Sequence, residues 1–303
     1  MNNELIVEIR GLSKTIGGFP VLSDFGMEVF TGDICGVVGP NDSGKTMLFR
    51  ILSTLVYPDK GKINIFGKKL YKGRRDLLKG MGVLIDEPVF YDHLNAFDNL
   101  SVFSRYFGMS RDNDEINRVL KLTGLSELSE TKVRNFASGD RKKLAIAMAI
   151  FNNPALVLLD EPFRALDVKS LIEIKKLIKT INRERGTTFI IASKRLDDLE
   201  GFITRIVLIE GGQLIAEGNV DELMGKSKTG LVLETEDDAR AVALIKESGL
   251  KLDNIVAADG VIRISCAKDL IPAINRLLVE ADIAVKMLRP DNAISSYYLT
   301  FTD

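Results

Sequence analysis

The feature that most constrains this chain is a glycine-rich octet between an apolar run and a helix-forming run. The apolar run occupies residues 34–38 and the helix-forming run residues 47–52. The octet consists of Gly39, Pro40, Asn41, Asp42, Ser43, Gly44, Lys45 and Thr46. This order fits a strand, a phosphate-binding loop and a helix, in which unpaired backbone N–H groups at the helix start surround a di- or triphosphate. The sequence therefore predicts a nucleotide-binding chain, and a chance glycine-rich turn is the alternative.

The last two residues of the octet have side chains that can bind phosphate and metal. Lys45 is expected to reach the outer phosphates, and the hydroxyl of Thr46 is expected to ligate Mg²⁺. Residues 39–44 are expected to contact the phosphates through their backbone. The whole octet is therefore a candidate cofactor-binding segment, and Thr46 is the first candidate metal ligand.

Length and composition limit the class of protein. A chain of 303 residues exceeds the size at which single cores stop growing, so two domains are expected. A formal net charge of −1 gives no indication of a nucleic-acid partner. Cys35 and Cys266 lie in separate apolar runs, as expected for reduced thiols in a cytosolic protein. Neither a signal peptide nor a membrane span is indicated, so attachment to a membrane is expected to go through a partner.

Strand and helix signals divide the chain into a large and a small domain. Residues 1–226 show antiparallel edge strands, a mostly helical insert at about 95–151, and parallel-type strands on either side of a helix at 170–185. Residues 225–230 are polar and are expected to form a linker. Residues 231–303 then give the order strand, helix, strand, strand, helix, strand. We therefore predict an α/β domain followed by a small ferredoxin-like α+β domain.

A pair of carboxylates follows the second apolar strand. Asp160 and Glu161 come directly after residues 155–159, at the end of a strand that a doubly wound sheet would place beside the phosphate loop. Asp160 is expected to hold Mg²⁺ through water, and Glu161 to polarise the attacking water. The alternative is a pair of surface carboxylates at a strand end.

Residues 136–140, Phe-Ala-Ser-Gly-Asp, lie between these two motifs and open a helix. With them the chain resembles, from about residue 5 to residue 218, the ATP-binding subunits of ABC transporters. The resemblance implies the P-loop NTPase fold of an ABC ATPase, with ATP and Mg²⁺ as cofactors. It also implies that Ser138 and Gly139 reach the γ-phosphate bound by a second copy, and that Asp167 lines the dimer seam. The assembly would be a homo- or heterodimer on an integral-membrane subunit, at the inner face of the membrane.

Several positions depart from the pattern of that family. Ile16 stands where an aromatic residue usually stacks on adenine, so base contact would be weakened or shared with Phe19. Asp86 replaces a glutamine and can still ligate Mg²⁺. Ala137 replaces the signature serine, and Lys194 replaces a histidine that contacts the γ-phosphate. Lys194 could hold that phosphate or simply face solvent.

Three of the substitutions relative to the family, Ala137, Asp140 and Lys194, support a second hypothesis, a catalytically degenerate subunit with a regulatory role in a heterodimer. A third, a non-transport ABC protein acting on ribosomes or DNA, is weaker because such proteins usually have tandem ATP domains or a long coiled coil. Asp42 also stands where the family usually has glycine, and it brings a carboxylate towards the phosphates.

The resemblance also places a partner groove at residues 87–100. Phe90, Tyr91, Leu94 and Phe97 would line it, although they are equally suited to the core of the helical insert. Asp86 and the aromatic tail 294–301 resemble the bacitracin and lantibiotic exporter branch of the family. That resemblance implies export of peptide antibiotics or self-protection.

Overall fold

The computed structural model describes residues 4–86, 89–106, 113–220, 222, 230–258 and 260–291. The chain forms two compact units, Met1–Glu217 and Gly218–Asp303. The expected linker at 225–230 lies outside the described residues except for Gly230, which begins a strand. The aromatic tail at 294–301 also lies outside them.

The first part of the chain contains ten strands and five helices within the described residues. In chain order they are β1 (Leu5–Ile16), β2 (Phe19–Phe30), β3 (Ile34–Val38), α1 (Lys45–Leu52), β4 (Lys60–Ile65), β5 (Lys68–Lys69), β6 (Met81–Leu84), α2 (Ala96–Tyr106), α3 (Asn113–Leu122), α4 (Ser138–Ile150), β7 (Leu156–Asp160), α5 (Val168–Arg185), β8 (Thr188–Ser193), β9 (Arg205–Glu210) and β10 (Gln213–Asn219).

The antiparallel edge sheet has the strand order β2-β1-β4-β5. β1 and β2 pair antiparallel around the glycine turn at Gly17 and Gly18, both of which have positive φ. This confirms the expected edge sheet and turn, but the two strands are longer than the sequence predicts. The register shifts at several points along β1, including the interval from Ile9 to Leu12, and such irregularities hide the alternation by which strands are recognised.

The central sheet has the order β10-β9-β3-β8-β7-β6, and β3, β6, β7, β8 and β9 pair in parallel where they are neighbours. Every residue of β3, β7 and β8 is buried, which explains their continuous apolar sequences. The core between the two sheets encloses α1, whose Leu48, Phe49, Ile51 and Leu52 are fully buried. Because parallel strands end at the same edge, the segments after β3, β7 and β8 meet there.

The helical insert is present as expected and contains α2, α3 and α4. Ile116, Val119 and Leu120 of α3 are buried, at the helical spacing that the sequence shows. Gly124 has φ of 71° and its N–H donates to the carbonyl of Lys121, so it ends the helix. Among the described residues, no helix is both long and apolar enough to cross a bilayer.

The second unit contains β11 (Gly230–Thr235), α6 (Asp238–Glu247), β12 (Leu252–Ala258), β13 (Val261–Cys266), α7 (Ile271–Glu280) and β14 (Val285–Asp291). Its antiparallel sheet has the order β12-β13-β11-β14, the arrangement of a ferredoxin-like fold. Leu231 and Ile264 of the sheet pack in one core with Ile245 of α6 and Leu278 of α7.

Candidate nucleotide-binding site

The phosphate loop connects β3 to α1, and two of its glycines are required by close contacts. A Cβ atom on Gly39 would lie 2.0 Å from the carbonyl oxygen of Ile209. A Cβ atom on Gly44 would lie 2.8 Å from Val21 O, and φ of 99° at Gly44 also favours glycine. Asp42 has φ of 61°, a conformation that aspartate tolerates better than most residues. The loop is therefore closely packed between β2 and the end of β9.

Lys45 lies inside this loop. Its ammonium donates hydrogen bonds to the carbonyl oxygens of Gly39 and Pro40, at 2.7 and 2.6 Å, and lies 3.3 Å from Oγ of Ser43. Burial lowers the pKa of Lys45, while the charges of Glu161 and Asp160 act in the opposite direction. The charged ammonium is thus held at the loop by backbone carbonyls and nearby carboxylates.

Thr46 and Asp160 are joined by a hydrogen bond. Oγ1 of Thr46 donates to Oδ2 of Asp160 at 2.8 Å. Asp160 is buried, and its Oδ1 is the buried side-chain oxygen that lacks a hydrogen-bond partner among the residues described. Burial raises the pKa of Asp160, and the charge of Asp86 raises it further. A buried carboxylate oxygen without a partner, beside a threonine hydroxyl, fits the oxygen ligands that Mg²⁺ prefers.

Glu161 is the first residue after β7, and its φ of 47° lies in the left-handed region of the backbone. Its N–H donates to the carbonyl oxygen of Ala192 in β8 at 3.0 Å, which connects the ends of the two strands. The side chain is half-buried, and this burial raises the pKa of Glu161. The charge of Lys45 and the backbone N–H of Lys194 oppose that rise. The side chain of Lys194 is exposed. The structure therefore places Glu161 and Lys194 at the same edge of the sheet.

Asp86 is engaged with a residue that the sequence does not single out. Nη2 of Arg50 lies 3.2 Å from Oδ1 and 3.0 Å from Oδ2 of Asp86. Arg50 lies on α1, 36 residues earlier in the chain, so no local pattern indicates the pair. The carboxylate expected to ligate Mg²⁺ is thus bound by a guanidinium in this structure.

Ile16 and Phe19 face each other across the tip of the β1–β2 hairpin. They are 48% and 76% exposed, which leaves an apolar surface open to solvent. The same hairpin carries Val21, whose carbonyl oxygen adjoins Gly44 of the phosphate loop. Phe19 therefore lies on β2, the strand that packs against that loop, and Ile16, the expected base-contact residue, faces it from the end of β1.

The expected signature residues lie at the start of α4. Ser138 is the first residue of the helix and is exposed, and Ala137 caps it without a side-chain hydrogen bond. Gly139 is buried, and a Cβ atom there would lie 2.2 Å from Oγ of Ser170. Ser170 in turn donates from its N–H and its hydroxyl to the carboxylate of Asp167, at 2.8 and 2.9 Å. The structure thus connects Gly139 to Asp167 through Ser170, a residue that sequence reasoning missed.

An apolar pocket of about 510 Å³ lies between β6 and the helical insert. Phe90 and Tyr91 line it, as the sequence predicts, together with Ile85, Phe103 and Met148. Leu94 and Phe97 are half-buried and are not among its lining residues, so for these two the interpretation as insert residues is the better one. Residues 87 and 88 of the expected groove lie outside the described residues.

Arg141 connects this pocket with α4. Its guanidinium lies 5.2 Å from the ring centroid of Phe90, and its Nη1 lies 2.9 Å from Oδ1 of Asp92. Arg141 follows Ser138 by three residues, so one helical turn separates the exposed start of α4 from the pocket wall. Sequence reasoning did not identify this contact.

A glycine-rich loop between a parallel strand and a buried helix, with a threonine and a carboxylate paired beside it, defines a P-loop nucleotide-binding protein. Residues 22–164 match the family described as ABC transporter. The chain is 30% identical over 295 residues to the bacitracin transport ATP-binding protein BcrA of Bacillus licheniformis, covering 97% of this chain and 96% of the relative. It is 31% identical over 296 residues to an uncharacterized ABC transporter ATP-binding protein, YcbN, of Bacillus subtilis (strain 168), covering 97% and 96%.

Among solved structures, cbiO1 from Clostridium perfringens, part of the ABC transporter complex cbiONQ, superposes with a TM-score of 0.67 and 25% identity, covering 74% of this chain and 92% of that one. The chain belongs to the ATP-binding subunits of ABC transporters. It is an ABC ATPase that binds nucleotide, and proteins of this class dimerise and work with membrane subunits.

Proposed function

We propose that this chain hydrolyses ATP at the phosphate loop with Asp160 and Glu161, and that hydrolysis drives a membrane exporter. The observation that carries the proposal is the Thr46–Asp160 hydrogen bond beside a buried carboxylate oxygen without a partner among the described residues. The loop alone would be sufficient for nucleotide binding, so the Thr46–Asp160 pair suggests a further role. The pair supports a site that would also hold a metal ion, which neutralises phosphate charge during phosphoryl transfer.

Thr46 and Asp160 would hold Mg²⁺, Thr46 through its hydroxyl and Asp160 through water. When bound, Mg²⁺ supplies positive charge to the phosphate oxygens as the terminal phosphoryl group leaves. Lys45 would exchange its bonds to the carbonyls of Gly39 and Pro40 for bonds to the outer phosphates, since its three donors are rotatable. The backbone of residues 39–44 would hold the phosphates in place.

Glu161 would accept a proton from the attacking water. Its partial burial raises its pKa towards the range in which a carboxylate is an efficient base, and the hydrogen bond from its N–H to Ala192 fixes its backbone. Lys194 would hold the γ-phosphate from the neighbouring strand end. Its exposed ammonium has the charge for this task, although it is less rigidly positioned than an imidazole would be.

A second copy would complete each site. Ser138 is exposed at the start of α4, so its hydroxyl and the N-terminus of the helix are accessible to a phosphate on another molecule. Asp167 would line the same seam, since it caps α5 one turn away from Ser170, which contacts Gly139. The second copy would be this chain again, in a homodimer, or a related subunit, in a heterodimer.

The apolar pocket would receive a short segment of the membrane subunit. Its lining includes Ile85, one residue from Asp86, and Phe90, which Arg141 connects to the start of α4. Binding there would therefore affect both halves of a shared nucleotide site. The protein would then act at the inner face of the membrane through that subunit.

The names of two relatives suggest the cargo. One is a bacitracin transport protein, and another, 32% identical over 216 residues, is the lantibiotic transport ATP-binding protein SrtF of Streptococcus pyogenes. Both names refer to peptide antibiotics. We propose that this chain powers export of a peptide of that class.

A catalytically degenerate partner in a heterodimer is the second candidate. It is favoured by Ala137, which has no hydroxyl at the position that caps α4, and by the exposure of Lys194. Steady-state phosphate release by the purified chain, alone and with its membrane subunit, discriminates the two. ATP hydrolysis by the purified chain alone is expected and would exclude the degenerate role. MgATP binding without turnover in both settings would favour that role.

A further inference from the structure

Two carboxylates beside the phosphate loop are held by the same face of α1. Thr46 donates to Asp160, and Arg50, four residues later, pairs with both oxygens of Asp86. Residues four apart in a helix lie one above the other on one face. α1 therefore positions Asp160 with its first turn and Asp86 with its second.

The carboxylate of Asp86 adds negative charge to a site that receives a polyphosphate. Asp42, Asp160 and Glu161 already contribute three carboxylates around Lys45. The charge of Asp86 also reaches Asp160, whose pKa it raises, while Lys45 and Arg50 act against that rise. Without a cation beside it, Asp86 would oppose both an anionic ligand and an ionised Asp160.

We propose that Arg50 is a positioning residue of the phosphate site: its guanidinium neutralises Asp86 and holds that carboxylate against α1, so that Asp86 does not repel the nucleotide. This inference rests on the proposed function. The side chains of Arg50 and Asp86 are 39% and 61% exposed, and exposed ion pairs contribute little to folding stability. Loss of Arg50 should therefore change nucleotide binding and leave the fold intact.

The test is a double-mutant cycle with Arg50→Met, Asp86→Gln and the combined variant. Equilibrium binding of ATP is measured by calorimetry, with Mg²⁺ and again in EDTA. Arg50→Met should weaken binding about two- to fivefold, the range expected for one exposed charge interaction. The weakening should be larger in EDTA, where no metal shields the phosphates. Adding Asp86→Gln should restore the affinity of the wild type, because the repelling charge is gone.

Arg118→Met is the matched control, since it removes an arginine of similar exposure, 43%, from another ion pair, with Glu115 on α3. It should leave ATP affinity unchanged. The inference is overturned if Arg50→Met binds ATP as the wild type does, if the double variant binds no better than Arg50→Met, or if Arg50→Met lowers the thermal midpoint far more than Arg118→Met does. Failure of the wild type to bind ATP would instead contradict the proposed function itself.

Discussion

Thr46 and Asp160 form a hydrogen bond that leaves one oxygen of the buried carboxylate free of partners among the described residues. Burial of this carboxylate raises its pKa, so ionisation costs more here than at an exposed aspartate. A divalent cation beside the carboxylate would lower its pKa again, because a positive charge stabilises the ionised form. We therefore expect Thr46 and Asp160 to be most stable when a divalent cation is bound beside them.

Asp160→Asn should make the affinity for ATP similar with and without Mg²⁺. The amide keeps the acceptor for Thr46 but loses the charge that attracts the ion. Because the ionised carboxylate is disfavoured by burial, the variant should unfold at the same temperature as the wild type or a higher one. Calorimetric ATP binding and thermal melts check both results, with Asp76→Asn as a control at an exposed carboxylate paired with Arg74. Retained Mg²⁺ dependence would show that Asp160 is not the metal-binding carboxylate.

Phe19→Ala should raise the KM for ATP about 5- to 100-fold, the value of one base–aromatic stacking contact, with kcat little changed. The reason is that Phe19 is the larger and more exposed member of the pair at the hairpin tip. Ile16→Tyr should lower KM, because it restores an aromatic ring where base contact is expected. Leu55→Ala changes another exposed apolar residue and serves as the control. An unchanged KM in both hairpin variants would remove the hairpin from the base site.

Gly139→Ala should lower the free energy of unfolding by about 1–3 kcal/mol, as overpacking usually does. The new methyl group would lie 2.2 Å from Oγ of Ser170 and would displace the residue that donates to Asp167. ATPase activity should fall as well, since Gly139 and Asp167, both expected at the dimer seam, would shift. Combining it with Ser170→Gly removes the opposing atoms and should recover part of the stability. Equal stability of the single and double variants, measured by urea unfolding, would show that the contact is not the cause.

Glu217→Gln should stabilise the protein at neutral pH. Burial raises the pKa of Glu217, so its folded-state pKa lies above its unfolded one and the ionised form costs stability. That cost is present above the folded-state pKa and disappears as pH falls below the unfolded-state pKa. The variant keeps an oxygen to accept from the N–H of Glu28. Urea unfolding of wild type and variant between pH 4 and pH 8 should show curves that converge on the acid side; a constant difference would contradict this reasoning.

Local patterns identified the parts of the fold whose residues are close in sequence. The loop at 39–46, the carboxylates after β7 and the order of strands and helices along the second unit all follow from short motifs and periodicity. The contacts that the sequence did not reveal join distant residues. Arg50 meets Asp86 across 36 positions, and Gly139 meets Ser170 across a helix packing interface. Such pairs depend on how elements pack, and a single sequence contains no signal for them.

Glu161→Gln tests the central claim most directly, because it removes the proposed base while keeping its size and the hydrogen bond from its N–H to Ala192. Phosphate release and ATP binding are measured on the same preparations of wild type and variant. We predict that hydrolysis falls at least about 100-fold, the usual contribution of a general base, while MgATP binding is retained and a nucleotide-bound dimer accumulates. Hydrolysis at the rate of the wild type would contradict the account.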